Sequence, residues 1–397
     1  MASTSDYNKN RNFDYSDDLD MDPADIIEKD PYLELAIGRK IVPAEFEDQK
    51  MMDKSAGERL GSAGRVNYMT INAFMDRVLE LEEEEKEKEI QMEIENKKKM
   101  ALKNVRGGTH KLNNGYLIPL VGFGTFNIAP HKLLLAIDAA LTAGYRMFDT
   151  AKCHNNEKEL GEAFKLLLPK HGLSRFDIFI TTKMFPKIGT PEMCRAQCRR
   201  QIDESLKNLN THYIDMYLVQ YPRPESIEND NPRNAEYRRI AYQVLEQAQA
   251  QGKIRSIGVS NYEGPHLVEL SKYAKVTPCV NQVEFHPHFT RRELHMGCKE
   301  YDIFFQAFSS LGKYEPELIK DPVVVDMAEK YGTTVPLILL AWAYRQNVGI
   351  IPKSATPERI TQNFDAINID LTPREIEELS ALNRNRSYTK LSGWLVE

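Results

Sequence analysis

The chain has 397 residues, a formal net charge of −6 and 42% hydrophobic residues, which allows one (β/α) barrel of about 250 residues plus an appendage. It has no run of 18 apolar residues and no basic, apolar leader, so we expect neither secretion nor membrane insertion and predict a cytoplasmic protein. The five cysteines are scattered and odd in number, which favours free thiols over disulfides, and no metal site is predicted.

The charge is unevenly distributed along the chain. Residues 1–105 carry 16 Lys and Arg against 25 Asp and Glu, a net of −9, whereas residues 106–397 carry 36 against 33, a net of +3. A mildly basic body suits a phosphorylated cofactor or substrate. No basic stripe interleaved with aromatic residues is present, so nucleic acid is not an expected partner.

Residues 1–105 are predicted to be an acidic N-terminal extension, with a polar, disordered stretch over residues 1–30. A charged helix is predicted near residues 70–104, where Ile71, Phe74, Val78 and Leu81 share one face and i,i+4 Glu–Lys pairs follow. Two interpretations stay open for this helix: a solvated spacer, or a face that docks on the barrel or on a protein partner. Arg106-Gly107-Gly108 marks the domain boundary.

From residue 106 to residue 397 the pattern changes to short strands that alternate with helices. Asn114-Gly115 between apolar residues predicts a hairpin. Eight strands are predicted, and eight parallel βαβ units close a TIM barrel whose active site lies at the carboxyl ends of the strands. The predicted strands cover residues 120–123, 146–149, 178–181, 213–219, 254–259, 279–283, 303–308 and 349–351.

Several motifs at these strand ends resemble signatures of the aldo-keto reductase family, in the family's order. They are Asp149-Thr150-Ala151 with Asn156-Glu157, Thr182-Lys183, Tyr213-Ile214-Asp215-Met216-Tyr217-Leu218, Gly258-Val259-Ser260-Asn261-Tyr262, Asn281-Gln282-Val283-Glu284-Phe285-His286-Pro287 and Ile351-Pro352-Lys353-Ser354. The resemblance covers residues from about 110 to 397. It implies an α/β fold, a (β/α)8 barrel with an N-terminal β-hairpin, that binds extended NADP(H) at its top.

The resemblance also implies the cofactor residues. Ser260, Asn261 and Gln282 would hold the nicotinamide carboxamide, and Phe308, followed by Ser309, would stack on the ring. Lys353, Ser354 and Arg359 would hold the adenosine 2′-phosphate, with Asn363 near the adenine. A point charge and a guanidinium suit a phosphate, so NADP(H) is expected rather than NAD.

Members of this family reduce carbonyls with an Asp, a Tyr, a Lys and a His. Asp149 and Lys183 match two of these positions, but the Tyr position is His154 and the His position is Gln220. We expect the nearby Lys183 to lower the pKa of His154, so the imidazole would be neutral at pH 7. A neutral imidazole and an amide still offer two N–H donors to a carbonyl.

Two functions follow from this substituted site. The first is an NADPH-dependent reductase of aldehydes or ketones with altered or weakened catalysis. The second is a catalytically silent NADP(H)-binding subunit, attached to a protein partner through residues 1–105. The pocket walls implied by the resemblance are Phe126, Phe185 and Trp394, and they suit a hydrophobic small-molecule carbonyl substrate.

Overall fold

The computed structural model describes residues 102–389 and the isolated positions Arg77, Leu79, Leu81, Met100 and Val396. The first four of these isolated positions are helical, within the span of the predicted charged helix. Residues 102–104, the predicted end of that helix, form turns and not helix. The other residues of the predicted helix, residues 1–30 and Trp394 lie outside the described residues. Among the described residues, no helix has the length and apolar character needed to cross a bilayer.

A β-hairpin precedes the barrel, as the Asn-Gly pair predicts. Strand β1 (Thr109–Lys111) pairs antiparallel with β2 (Leu117–Pro119). Gly115 has φ +89°, a conformation that glycine adopts without strain. The Asn114 amide donates to Arg255 O and to Ser256 Oγ at the amino ends of the barrel strands. The hairpin therefore closes the bottom of the barrel.

Eight parallel strands follow, each hydrogen-bonded to its neighbour in sequence order. A parallel bridge between Val121 and Ile350 joins the first of these strands to the last, and Gly122 N donates to Ile350 O at 2.8 Å. The sheet therefore closes on itself as a (β/α)8 barrel. Its strands are β3 (Phe123–Gly124), β4 (Met147–Asp149), β5 (Phe179–Met184), β6 (Ile214–Val219), β7 (Ile254–Ser260), β8 (Val280–Glu284), β9 (Phe304–Phe308) and β10 (Gly349–Ile350).

Helices connect the strands and cover the outside of the barrel. Many begin with proline in the first turn, where its missing N–H costs no helical hydrogen bond. The helices are α1 (Pro130–Ala143), α2 (Glu157–Lys170), α3 (Pro191–Asn208), α4 (Asn234–Ala250), α5 (Gly264–Ser271), α6 (Arg292–Glu300), α7 (Pro316–Ile319), α8 (Pro322–Lys330), α9 (Val335–Tyr344), α10 (Pro357–Phe364) and α11 (Pro373–Ser380).

The apolar core has two main parts, because successive residues of a strand face opposite sides of the sheet. The larger part lies between the strands and the helices. The smaller part fills the barrel interior and its lower end, and it includes Leu112, Phe179 and Met216. Leu102 also belongs to this inner cluster and is 6% exposed. The chain thus contributes to the bottom of the barrel before the hairpin begins.

Candidate functional site

A buried ion pair occupies the carboxyl end of β4 and β5. Lys183 Nζ lies 2.5 Å from Asp149 Oδ1 and donates to Thr150 O at 2.9 Å. Both side chains are about 95% buried, so each charge depends on the other for its stabilisation. The structure therefore brings together the two predicted catalytic residues that match the family pattern.

The second oxygen of Asp149 is also engaged. Gln282, in the middle of β8, donates from Nε2 to Asp149 Oδ2 at 2.8 Å. The same nitrogen donates to Gln306 Oε1 on β9, also at 2.8 Å. Gln306 is 1% exposed and has no counterpart among the predicted site residues. Its signal in the sequence is a polar residue at an inward position of an otherwise apolar strand.

His154 ends a single turn of 3-10 helix, Lys152–His154, that follows β4. Burial and, secondarily, the positive charge of Lys183 lower its pKa from 6.5 to about 3. The imidazole is therefore neutral at pH 7, as expected from the sequence, although burial contributes more than Lys183 does. Within the part of the chain that the structure describes, its buried Nδ1 has no hydrogen-bond partner. The Phe126 ring packs edge-on against the imidazole, with ring centroids 5.0 Å apart.

Gln220 follows β6 and contacts a residue that the sequence argument leaves without a role. Its Nε2 donates to Cys153 Sγ at 3.1 Å, and Sγ lies 3.5 Å from Gln220 Oε1. Cys153 is the one exposed cysteine of the five. Burial raises its pKa, although the hydrogen bond from Gln220 opposes the shift. The thiol is therefore protonated at neutral pH and orients the Gln220 amide.

The loop after β4 is held by two buried polar side chains. Asn156 accepts from Thr150 Oγ1 at 2.6 Å and donates to Thr125 O at 3.0 Å. Glu157 accepts from Thr182 Oγ1 at 2.7 Å and pairs with Lys152 at 3.3 Å. These contacts anchor both ends of the segment that carries His154.

The residues expected to contact the nicotinamide lie on neighbouring strand ends. Ser260 Oγ donates to Gln282 O at 2.7 Å, and Asn261 Nδ2 donates to Gln220 O at 2.9 Å. Asn261 and Ser309 both have positive φ, 62° and 50°, at the turns that end β7 and β9. Phe308 ends β9 and is partly exposed. These five residues therefore gather around the upper end of β8.

A second group of predicted residues lies on α10 and just before it, with Asn363 in its last turn. Lys353 and Arg359 are exposed, and within residues 102–389 neither forms an ion pair with a carboxylate. Ser354 is buried and accepts from Thr356 N at 3.0 Å. Asn363 is buried in the same helix. Two exposed cations near a helix N-terminus are chemically suited to a phosphate, so these residues fit an NADP(H) 2′-phosphate.

An open cleft of about 560 Å³ lies beside Cys153. Phe185 is its aromatic wall and packs near Tyr221, with ring centroids 6.3 Å apart. Phe126 lies beside His154 and is 57% exposed. Most of the cleft lining is polar or charged, because α3 contributes its polar face. The lining residues are Lys152, Cys153, Asn155, Phe185, Lys187, Gln197, Arg200, Gln201, Glu204 and Glu225.

The C-terminal segment is attached to the upper end of β8 by Glu284. This buried carboxylate accepts hydrogen bonds from Tyr388 N at 2.7 Å, from Thr389 Oγ1 at 2.6 Å and from Ser387 Oγ. Burial opposes ionisation of Glu284, but hydrogen bonds from His286, Ser387 and Thr389 outweigh it and lower the pKa to about 2. Residues 387–389 are therefore held close to the residues that are expected to contact the nicotinamide.

The eight parallel strands close into a barrel, and a buried lysine–carboxylate pair lies at their carboxyl ends. This arrangement is typical of (β/α)8-barrel enzymes, whose active sites are formed at the carboxyl ends of the strands. The sequence matches the Aldo/keto reductase family over residues 120–384. The chain belongs to this family of oxidoreductases, whose cofactor is NADP(H), and its members act on small carbonyl compounds.

Individual relatives agree with this assignment. Human aldo-keto reductase family 1 member A1 is 34% identical over 295 residues, which cover 70% of this chain and 90% of the relative. Aldose reductase B of Dictyostelium discoideum is 32% identical over 295 residues, which cover 70% of this chain and 93% of that relative. A solved Bombyx mori aldo-keto reductase in complex with NADP is 29% identical, with a TM-score of 0.66, and the match covers 73% of this chain and 97% of that one.

Proposed function

We propose that this protein is an NADPH-dependent reductase of aldehydes or ketones in which His154 and Gln220 take the places of the usual Tyr and His. The observation that supports this proposal is the orphaned Nδ1 of His154, which lies in a buried site beside the Asp149–Lys183 pair. A buried polar atom without a partner is unfavourable in the free protein. A bound substrate carbonyl or its accompanying water would supply the missing contact.

NADPH, when bound, supplies the hydride for the carbonyl carbon. Ser260, Asn261 and Gln282 would orient its carboxamide, and Lys353 with Arg359 would hold its 2′-phosphate. His154 and Gln220 would each donate an N–H to the carbonyl oxygen, so negative charge on that oxygen is stabilised as it develops. Because His154 is neutral, the oxygen would take its proton from water in the open cleft.

A missing contact of His154 favours a second candidate, an NADP(H)-binding subunit without turnover. Among the described residues, neither ring nitrogen of His154 is hydrogen-bonded to Lys183 or Asp149, so no direct hydrogen bond links the imidazole to the buried ion pair. In that function the acidic residues 1–105 would attach the chain to a protein partner. General-acid catalysis contributes about 10²–10⁴-fold, and its loss would leave cofactor binding unaffected.

His154→Tyr separates the two candidates. A phenol at this position would lie next to Asp149 and Lys183, which would tune its pKa, and the exposed Phe126 ring can move to admit it. We expect turnover of a generic aldehyde to rise by about tenfold or more, with NADPH affinity unchanged. Gln220→His alone should do less, because it restores orientation without an acid.

The outcomes of this experiment are distinct. A fast wild-type enzyme that His154→Tyr slows would show that His154 is a working catalytic group, and the silent-subunit candidate would fail. NADPH binding without turnover in wild type, in both single variants and in the double variant would leave the silent subunit and exclude the reductase.

A further inference from the structure

The barrel interior contains a hydrogen-bonded row of polar side chains that runs from β9 to β4. Gln306 Oε1 accepts from Gln282 Nε2 at 2.8 Å, and Gln282 Nε2 also donates to Asp149 Oδ2 at 2.8 Å. All three residues are at most 3% exposed. Gln306 and Gln282 are direct partners across the parallel β8–β9 pair, so the strand register sets their contact.

The two N–H groups of the Gln282 amide are therefore both used inside the protein. One is directed to a carboxylate and the other to a carbonyl oxygen, and both acceptors repel an amide oxygen. Gln282 Oε1 consequently faces away from them. Among the described residues, none donates to Oε1, and this oxygen is not enclosed. The arrangement leaves one free acceptor at the place expected to meet the nicotinamide carboxamide, whose NH₂ is a donor.

We propose that Gln306 is a positioning residue for the cofactor: it holds the Gln282 amide so that Oε1 is presented to the nicotinamide carboxamide. Among the described residues, the Gln306 amide has no stronger competing contact, since its own Nε2 donates to Met147 Sδ at 3.6 Å. Without Gln306 Oε1, one buried N–H of Gln282 loses its acceptor, and the amide rotates to find another. This inference rests on the proposed cofactor role of Gln282.

The test compares two ligands that share the phosphate site and differ in the nicotinamide. NADPH contains both parts, whereas adenosine 2′,5′-bisphosphate has the adenosine phosphates only. Gln306→Met keeps the side-chain length and removes the acceptor. We expect the Kd for NADPH to rise about tenfold, which is the scale of one hydrogen bond, and the Kd for the bisphosphate to stay within about twofold. Gln249→Met, which removes a glutamine amide bonded to Arg255 O on the outside of the barrel, should change neither Kd.

A double-mutant cycle then shows whether Gln306 acts through Gln282. Gln282→Met alone should also weaken NADPH about tenfold, and the double variant should be no weaker than either single variant. An NADPH affinity that is unchanged in Gln306→Met but reduced in Gln282→Met overturns the role of Gln306. Additive, roughly hundredfold weakening in the double variant also overturns it, because the two residues would then act independently.

The same binding measurements distinguish two further outcomes. If Gln282→Met leaves NADPH binding unchanged, the proposed cofactor contact itself fails, and the inference fails with it. Loss of bisphosphate binding in Gln306→Met would indicate a damaged barrel. In that case Gln306→Thr, which is too short to reach Gln282, replaces it in the comparison, and the same tenfold effect on NADPH alone is expected.

Discussion

Replacement of Lys353 by alanine tests the phosphate site at the start of α10. Lys353 and Arg359 are exposed, with no ion pair to a carboxylate among the described residues. A charge-assisted hydrogen bond contributes about 1.5–3 kcal/mol, and exposure favours the lower end of that range. Because about 1.4 kcal/mol corresponds to a factor of ten in affinity, Lys353→Ala should raise the Kd for NADPH about tenfold. The Kd for NADH should change by less than about twofold.

The assay is a fluorescence titration of both dinucleotides at fixed ionic strength, since salt screens exposed charges. Wild type should bind NADPH at least about tenfold more tightly than NADH, on the same basis, and Lys353→Ala/Arg359→Ala should abolish the preference. Lys207→Ala is the matched control, because Lys207 is an exposed lysine in the last turn of α3, at the opposite end of the barrel. Equal affinities of wild type for NADPH and NADH, or parallel losses for both in Lys353→Ala, would refute the assignment.

Three other predictions concern His154, Leu102 and Cys153. Because the pKa of His154 is lowered to about 3, the unfolded chain takes up a proton on this imidazole at a higher pH than the folded chain does, and the free energy of unfolding should fall between pH 6.5 and pH 3 by up to about 1.4 kcal/mol per pH unit. Chemical unfolding at pH 7 and pH 5 should show a smaller loss of stability at pH 5 for His154→Phe than for wild type. An identical loss would contradict this pKa. A chain that starts at Arg106 lacks the buried Leu102 and should be about 2 kcal/mol less stable than a chain that starts at Met100. Both chains should bind NADPH. Equal melting temperatures of the two chains would show that Leu102 contributes no stability. N-ethylmaleimide should modify Cys153 alone, since the other four thiols are buried. The adduct should displace the Gln220 side chain and abolish carbonyl turnover, whereas NADPH should still bind. Full activity of the adduct would refute a role for Gln220.

Most of the fold could be predicted from the sequence because its signals are local. The barrel strands are short runs rich in apolar residues, and several of them end in a polar residue or are followed by one. The Asn114-Gly115 turn identifies the hairpin. The exact positions of the strand ends follow less directly from the local sequence. The strand predicted at residues 120–123 is a two-residue pair at Phe123–Gly124 preceded by the bridge at Val121, since closure of the barrel, and not local propensity, decides its pairing.

The sequence identifies residues that the structure places at neighbouring strand ends, but it does not identify the contacts between them. Asp149 and Lys183 form the expected pair, because both lie at strand ends that parallel pairing brings together. The contacts of Gln220 with Cys153 and of Gln282 with Gln306 join residues that are 67 and 24 positions apart. Such contacts depend on strand register and side-chain rotamers, which no local pattern contains. The extent of His154 burial is hidden from the sequence for the same reason.

The most direct test of the account combines binding and turnover on one sample of the full chain. NADPH is titrated first, and a panel of aldehydes and ketones is then added while the absorbance at about 340 nm is followed. We predict saturable NADPH binding, then consumption of NADPH that depends on the carbonyl compound and is changed by His154→Tyr. Saturable binding without consumption for any member of the panel, in wild type and in His154→Tyr, would contradict the proposed reductase activity.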